Sequence, residues 1–233
     1  VAGEARVVTG KNGEPLGSAA SASVSGFASA PTSQHGLGEP SRWVRRWTHL
    51  VAPGGAVLDV ASGAGRHSRW FAARGHPVTA IDRDAAALAA MRDEPNIATV
   101  AADIENAAWP LADDATFAAI VVTNYLHRPL FPQLLRSLGE GGVLIYETFA
   151  QGNETVGKPS NPAFLLKPGE LLDTVHGQLR VIAFQDGFLA EPRPAFIQRI
   201  CAVNESRSKQ ADKTESVAFP PELLVPPRYD LAG

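Results

Sequence analysis

The segment Val57-Leu58-Asp59-Val60-Ala61-Ser62-Gly63-Ala64-Gly65-Arg66-His67-Ser68 constrains the fold more than any other stretch of the chain. A short apolar run gives way to closely spaced glycines, and these to a segment that carries Trp70 and Phe71 as far as Gly75. An apolar run this short, bounded by glycine, reads as a buried strand, and the segment behind it reads as a helix stopped at Gly75. Strand, tight turn and helix in that order begin a βαβ unit, whose parallel strands are covered on both faces.

The alternation continues along the chain. Pro77 to Ile81 is a second strand, and Asp84 caps a helix holding Leu88 and Met91. Ile97 to Ala101 is a third strand, and Phe117 to Thr123, with Ile120-Val121-Val122 at its centre, is a fourth. A helix with Phe131, Leu134, Leu135 and Leu138 follows, stopped by Gly139, Gly141 and Gly142, and Val143 to Phe149 is a fifth strand. Ahead of these, Trp43, Val44, Trp47, Leu50 and Val51 recur at helical spacing behind Pro40-Ser41. After a long loop at 150–167 and a short helix near Glu170-Leu171-Leu172, two further runs, Arg180 to Leu189 and Ala195 to Asn204, are separated by Glu191-Pro192-Arg193-Pro194. Strands joined by so short a link are antiparallel neighbours, so the parallel sheet is expected to end in a hairpin.

Composition bounds the function. At 233 residues, 45% hydrophobic and 19% charged, the chain has the make-up of one globular domain. Its formal charge of −3 lacks the basic footprint of a nucleic-acid binder and argues against such a partner. A lone cysteine, Cys201, allows no intramolecular disulfide and no cysteine-rich metal site, and its strand-like surroundings make it a small core residue. No metal is expected. No run reaches the ~18 apolar residues of a membrane span, and no secretory pattern opens the chain, so the expected location is the cytoplasm. Residues 1–38, rich in Ser, Ala and Gly, are expected to be a disordered tail. The ordered domain is placed at 39–205, with 206–233 loosely held.

Three acids fall at successive strand ends: Asp59, Asp82 and Asp103. In an open α/β sheet, ligands bind outside the carboxyl ends of the strands. Gly63 and Gly65 let a ligand approach the backbone there. Asp59 suits hydrogen bonds or a cationic group, Asp82 the two hydroxyls of a ribose, and Asp103 an adenine amino group.

The segments Leu58-Asp59-Val60-Ala61-Ser62-Gly63-Ala64-Gly65, Ala80-Ile81-Asp82 and Ala102-Asp103 resemble the cofactor motifs of class I S-adenosylmethionine-dependent methyltransferases. The likeness runs from about Trp43 to Asn204, and the Gly65-Arg66-His67 turn resembles small bacterial enzymes of the tellurite-resistance type. It implies a doubly wound, Rossmann-like seven-stranded α/β sheet, mostly parallel, in the order 3-2-1-4-5-7-6 with the last strand antiparallel. It also implies S-adenosylmethionine as cofactor. Asp59, Gly63 and Gly65 would surround its methionine part, Asp82 its ribose and Asp103 its adenine. Ala61 stands where the usual pattern has glycine, and altered packing rather than lost binding is expected there. Asn124, at the end of the fourth strand, joins the cofactor-binding set.

In this superfamily the end of the fourth strand faces the departing methyl group. Here it reads Thr123-Asn124-Tyr125-Leu126-His127. Tyr125 offers an aromatic face to a sulfonium or a hydroxyl to the acceptor, and His127 a base near neutral pH; both are the candidate catalytic residues. His127 reads equally well as a residue that opens a helix. Arg66 suits the cofactor's carboxylate or plain solvent, and His67 packing on the cofactor side. The loop at 150–167 is expected to be an acceptor lid, with Glu147 and Asn153 as contacts. The expected acceptor is a small molecule. Two readings from other classes remain beside it: a cofactor-binding scaffold without catalysis, and an NAD(P)-dependent oxidoreductase. The latter's fingerprint needs a glycine where this chain has Ser68. Aminopropyl transfer is a lesser option, since Thr123 to Leu130 contains no acid.

Overall fold

The computed structural model describes residues 38–205 and 228–231. The expected tails therefore lie outside the described residues, apart from Gly38 and 228–231. The elements are α1 (Arg42–Trp47), β1 (Val57–Val60), α2 (Arg66–Ala72), β2 (Val78–Asp82), α3 (Ala85–Ala89), β3 (Ile97–Ala101), β4 (Phe117–Thr123), α4 (Phe131–Arg136), β5 (Leu138–Phe149), α5 (Glu170–Val175), β6 (Arg180–Leu189) and β7 (Ala195–Val203). They form one seven-stranded sheet in the order β3-β2-β1-β4-β5-β7-β6. The first five strands are parallel, and β7 runs antiparallel to both β5 and β6. This is the predicted order and direction.

Alternation along the central strands supplies two apolar faces. Val57, Val121, Val143, Ile145 and Cys201 pack with Trp43, Val44 and Trp47 of α1 and Phe71 of α2. Leu58, Val60, Ile120, Val122, Leu144, Tyr146 and Ile200 pack on the opposite side with Leu134 of α4 and Leu171 of α5. Each such side chain taken from water contributes about 1.5–3 kcal/mol, so the central strands are the most firmly held part of the fold. Cys201 is fully buried, and burial pushes its thiol up to about 12, as suits a core residue.

The helices begin where the sequence marks them. Ser41 caps α1 by accepting from Trp43 N at 3.0 Å, and Asp84 caps α3 by accepting from Ala86 N and Ala87 N at 3.0 and 3.1 Å. One expectation fails. Leu138, expected on the helix, is already in β5 and pairs with Phe117. The glycines behind it allow a close backbone approach. A Cβ on Gly142 would lie 2.9 Å from the Phe117 carbonyl oxygen and 2.8 Å from that of Gly139. At the other end of the chain, residues 228–231 are anchored rather than loose. Tyr229 joins the α1-side core and donates to Glu205 at 3.0 Å, while Arg46 donates to the Leu231 carbonyl at 3.0 Å.

Candidate active site

Strand order reverses between β1 and β4, which opens a crevice at their carboxyl ends. The sequence motifs converge there. Asp59 is the penultimate residue of β1, Asp82 the last of β2, and Asp103 follows β3. Because Val60 pairs with Ile81, the glycine turn leaves β1 level with the end of β2.

That turn is built from left-handed residues: Ala61 at φ +54°, Gly63 at +55° and Gly65 at +83°. Ala61 takes up the conformation that a glycine would adopt freely, at a cost of about 1–2 kcal/mol. The departure from the usual pattern thus bears on backbone strain rather than on packing. Gly63 donates its N–H to Asp82 Oδ2 at 2.7 Å, and Asp84 N donates to Asp82 Oδ1 at 2.9 Å. Each Asp82 oxygen keeps a lone pair for a hydroxyl. Open space lies where a Cβ on Gly63 would point, whereas one on Gly65 would sit 1.7 Å from Met91 Sδ. The first glycine leaves room for a ligand, and the second lets α2 close onto the turn after α3. Asp103 is more heavily engaged. Its Oδ1 accepts from Glu105 N and Asn106 N, and its Oδ2 from Asn106 Nδ2 at 2.9 Å. The Asn106 bond is the main cause holding its carboxyl below the ordinary range. One lone pair on Oδ2 is left for an amino group.

Asp59 is 1% exposed and accepts from Ser68 Oγ at 2.6 Å. Burial pushes its carboxyl up to about 7, against the pull of the Ser68 bonds and the Arg66 charge. Position 68, where a nicotinamide fingerprint needs glycine for close helix packing, therefore holds a side chain that serves the acid. His67 is 2% exposed, with Nε2 accepting from Ser41 N at 3.2 Å and Nδ1 facing Thr123 Oγ1 at 3.4 Å. Burial first, then the Arg66 charge, hold it down at about 3. A neutral ring with both nitrogens occupied joins α1, α2 and the end of β4 and is no acid at neutral pH.

At that strand end, Asn124 is exposed with φ +55°, and its N–H donates to the Glu147 carbonyl at 2.9 Å. Tyr125 is half-buried against the α4-side core, with its hydroxyl buried beside Glu105. Burial, then the charge of nearby Glu105, push this phenol far above its ordinary value. It is a donor, never a base, near neutral pH. The His127 backbone caps the short 3-10 helix Arg128–Leu130.

A row of polar residues crosses the sheet on the α1 side: Thr123, Glu147, Arg199 and Gln185 are successive register partners on β4, β5, β7 and β6. Glu147 accepts from Ser41 Oγ at 2.7 Å and from Arg199 Nη1 at 3.0 Å. Arg66, at the start of α2, is half-buried beside this row, and burial is the main cause holding its guanidinium below its ordinary value. Asn153, expected as an acceptor contact, is 1% exposed and turned inward. Its Nδ2 donates to the Pro159 carbonyl at 2.9 Å, and its Oδ1 accepts from Phe196 N at 3.2 Å. Sequence reasoning missed Ser41, Ser68 and Arg128 as site residues. Their partners lie on other elements, and only Ser41 carried a local signal, its position ahead of a helical run. Among the described residues no three His, Cys, Asp or Glu side chains form a metal-binding group, and no helix is long and apolar enough to cross a membrane.

The sheet order and the reversal between β1 and β4 are those of the class I methyltransferase fold. Residues 57–142 match the model of a family described as a methyltransferase domain.

Solved structures share this fold. TehB from Haemophilus influenzae superposes with a TM-score of 0.55 at 19% identity, covering 68% of this chain and 60% of that one. The present chain thus spans less than two thirds of that protein's length. A TehB-like S-adenosylmethionine-dependent methyltransferase from Corynebacterium glutamicum gives 0.52 at 18% identity, covering 70% and 87%. The 1,6-didemethyltoxoflavin-N1-methyltransferase of Burkholderia thailandensis, with its acceptor and S-adenosylhomocysteine bound, gives 0.51 at 21% identity, covering 70% and 76%. No curated protein matches the sequence.

Proposed function

We propose that this protein transfers a methyl group from S-adenosylmethionine to a small-molecule acceptor. The observation that carries the reading is the Gly63–Asp82 bond of 2.7 Å. It fixes an open glycine turn and a ribose-competent carboxylate side by side at the switch point of the sheet. Asp82 would hold the ribose, the free lone pair of Asp103 the adenine amine, and Asp59, Ala61, Gly63, Gly65 and Asn124 would line the methionine side. Arg66 is the candidate partner of the cofactor's carboxylate. The solved Burkholderia relative, whose acceptor is a small heterocycle, supports the acceptor class.

The bound cofactor supplies an activated methyl, so the protein's part is placement, exclusion of water and one proton. His127, on the strand-end segment that follows Asn124, takes a proton from the acceptor's nitrogen or oxygen. Tyr125, held protonated, donates a hydrogen bond and presents its ring. The protein works in the cytoplasm on this reading. Incubation with S-adenosylmethionine and a panel of heterocyclic and amine acceptors, with S-adenosylhomocysteine release as the readout, tests it. Acceptor-dependent release supports the reading. Cofactor binding with no release on any acceptor would favour a non-catalytic scaffold.

A further inference from the structure

The loop between β5 and α5 is pinned along both limbs. Its first limb is held by Asn153, and the base of both limbs by Gln151 N donating to the Leu166 carbonyl at 2.9 Å and Leu166 N to that of Phe149 at 3.0 Å. Its second limb is held by Arg128, the residue after His127. The Arg128 guanidinium donates from Nε to Glu170 Oε1 at 2.6 Å and from Nη2 to Glu170 Oε2 at 2.9 Å. It also donates to the carbonyls of Ala163 at 2.8 Å and Leu165 at 2.9 Å. A two-pronged ion pair with two further backbone bonds fixes a guanidinium in both position and plane. Glu170 in turn accepts from Lys167 N at 2.8 Å.

We propose that Arg128 is a positioning residue that joins this loop to the His127 segment as one body, making the loop a fixed wall of the acceptor site rather than a mobile lid. The assignment of an acceptor side rests on the methyl-transfer reading; the latch itself does not. Loop and strand end lie 42 residues apart at the ion pair, so nothing local in the chain couples them otherwise. Acceptor size would then be set by the fixed distance between His127 and the limb at 163–166.

The latch is tested by amide hydrogen exchange at Gln151 and Leu166 and by the His127 imidazole resonances, in the wild type, R128Q, E170Q and the double variant. S-adenosylhomocysteine affinity is measured beside them. Each single variant is expected to speed exchange about tenfold and shift the His127 signal, with the double variant no worse than either single. The isosteric E170Q keeps the test open if R128Q does not fold. Unchanged His127 signals in E170Q, or effects that add as if independent, would overturn the proposal. If the wild type fails to bind S-adenosylhomocysteine, the methyl-transfer reading falls, while the latch is still decided by the exchange data.

Discussion

Ser68, in the first turn of α2, donates to the buried Asp59 carboxylate of β1 at 2.6 Å, and its neighbour His67 is buried neutral on the same turn. The two titratable groups oppose each other. Asp59, raised from 3.8 to about 7, keeps a proton that the unfolded chain loses, so its contribution makes stability fall as pH rises between those values. His67, lowered from 6.5 to about 3, refuses a proton that the unfolded chain takes, so its contribution makes stability rise over that window. The wild type should show a shallow slope where the windows overlap. Asp59→Asn should expose the rising limb and His67→Gln the falling one, each changing stability by on the order of a few kcal/mol. Urea midpoints taken across the overlap check this, and equal slopes in all three proteins would refute it.

Ala61 at φ +54° carries a strain that glycine lacks. Ala61→Gly is expected to stabilise the fold by about 0.5–1 kcal/mol, the relief being partly offset by the freedom glycine gains when unfolded. Gly65→Ala should cost about 2 kcal/mol or more, because its Cβ would meet Met91 and its φ is +83°. Chemical denaturation of the two variants gives opposite signs on this account.

Ser41 does two things with one hydroxyl, capping α1 and donating to Glu147 at 2.7 Å across 106 residues. Ser41→Ala is expected to lower stability by about 1–2 kcal/mol, more than an exposed cap alone would lose. Thermal or urea unfolding measures it, and a loss of only a few tenths would mean that the Glu147 contact adds nothing.

His127→Gln should reduce methyl transfer by about 10²-fold or more, the usual size of a general-base effect, while leaving S-adenosylhomocysteine affinity unchanged. Steady-state kinetics with an acceptor from the panel, together with a titration, separate the two. Unaltered turnover would return His127 to the role of a residue that only opens a helix.

Much of this architecture is legible in the residues. The run Ile120-Val121-Val122 marks β4, Asp84 marks the start of α3, and Glu191-Pro192-Arg193-Pro194 is too short for anything but an antiparallel turn. Asp59, Asp82 and Asp103 fall along one edge because β1, β2 and β3 are parallel neighbours whose carboxyl ends lie together. Other features have no local signal. Gly139 to Gly142 read as a helix stop, and only the paired strand shows that they also admit the Phe117 carbonyl. Asn153 looks like a polar loop residue, yet its amide holds the loop together from inside. The Arg128–Glu170 and Ser41–Glu147 pairs depend on which strands are neighbours, and no spacing in one chain encodes that.

The central claim is tested most directly by calorimetric titration of the protein with S-adenosylmethionine, S-adenosylhomocysteine and NADPH, repeated on Asp82→Ala. Both adenosyl ligands are expected to bind the wild type, the substitution to weaken them by about tenfold or more through loss of the ribose contact and of the Gly63 anchor, and NADPH not to bind. NADPH binding without either adenosyl ligand would contradict the claim.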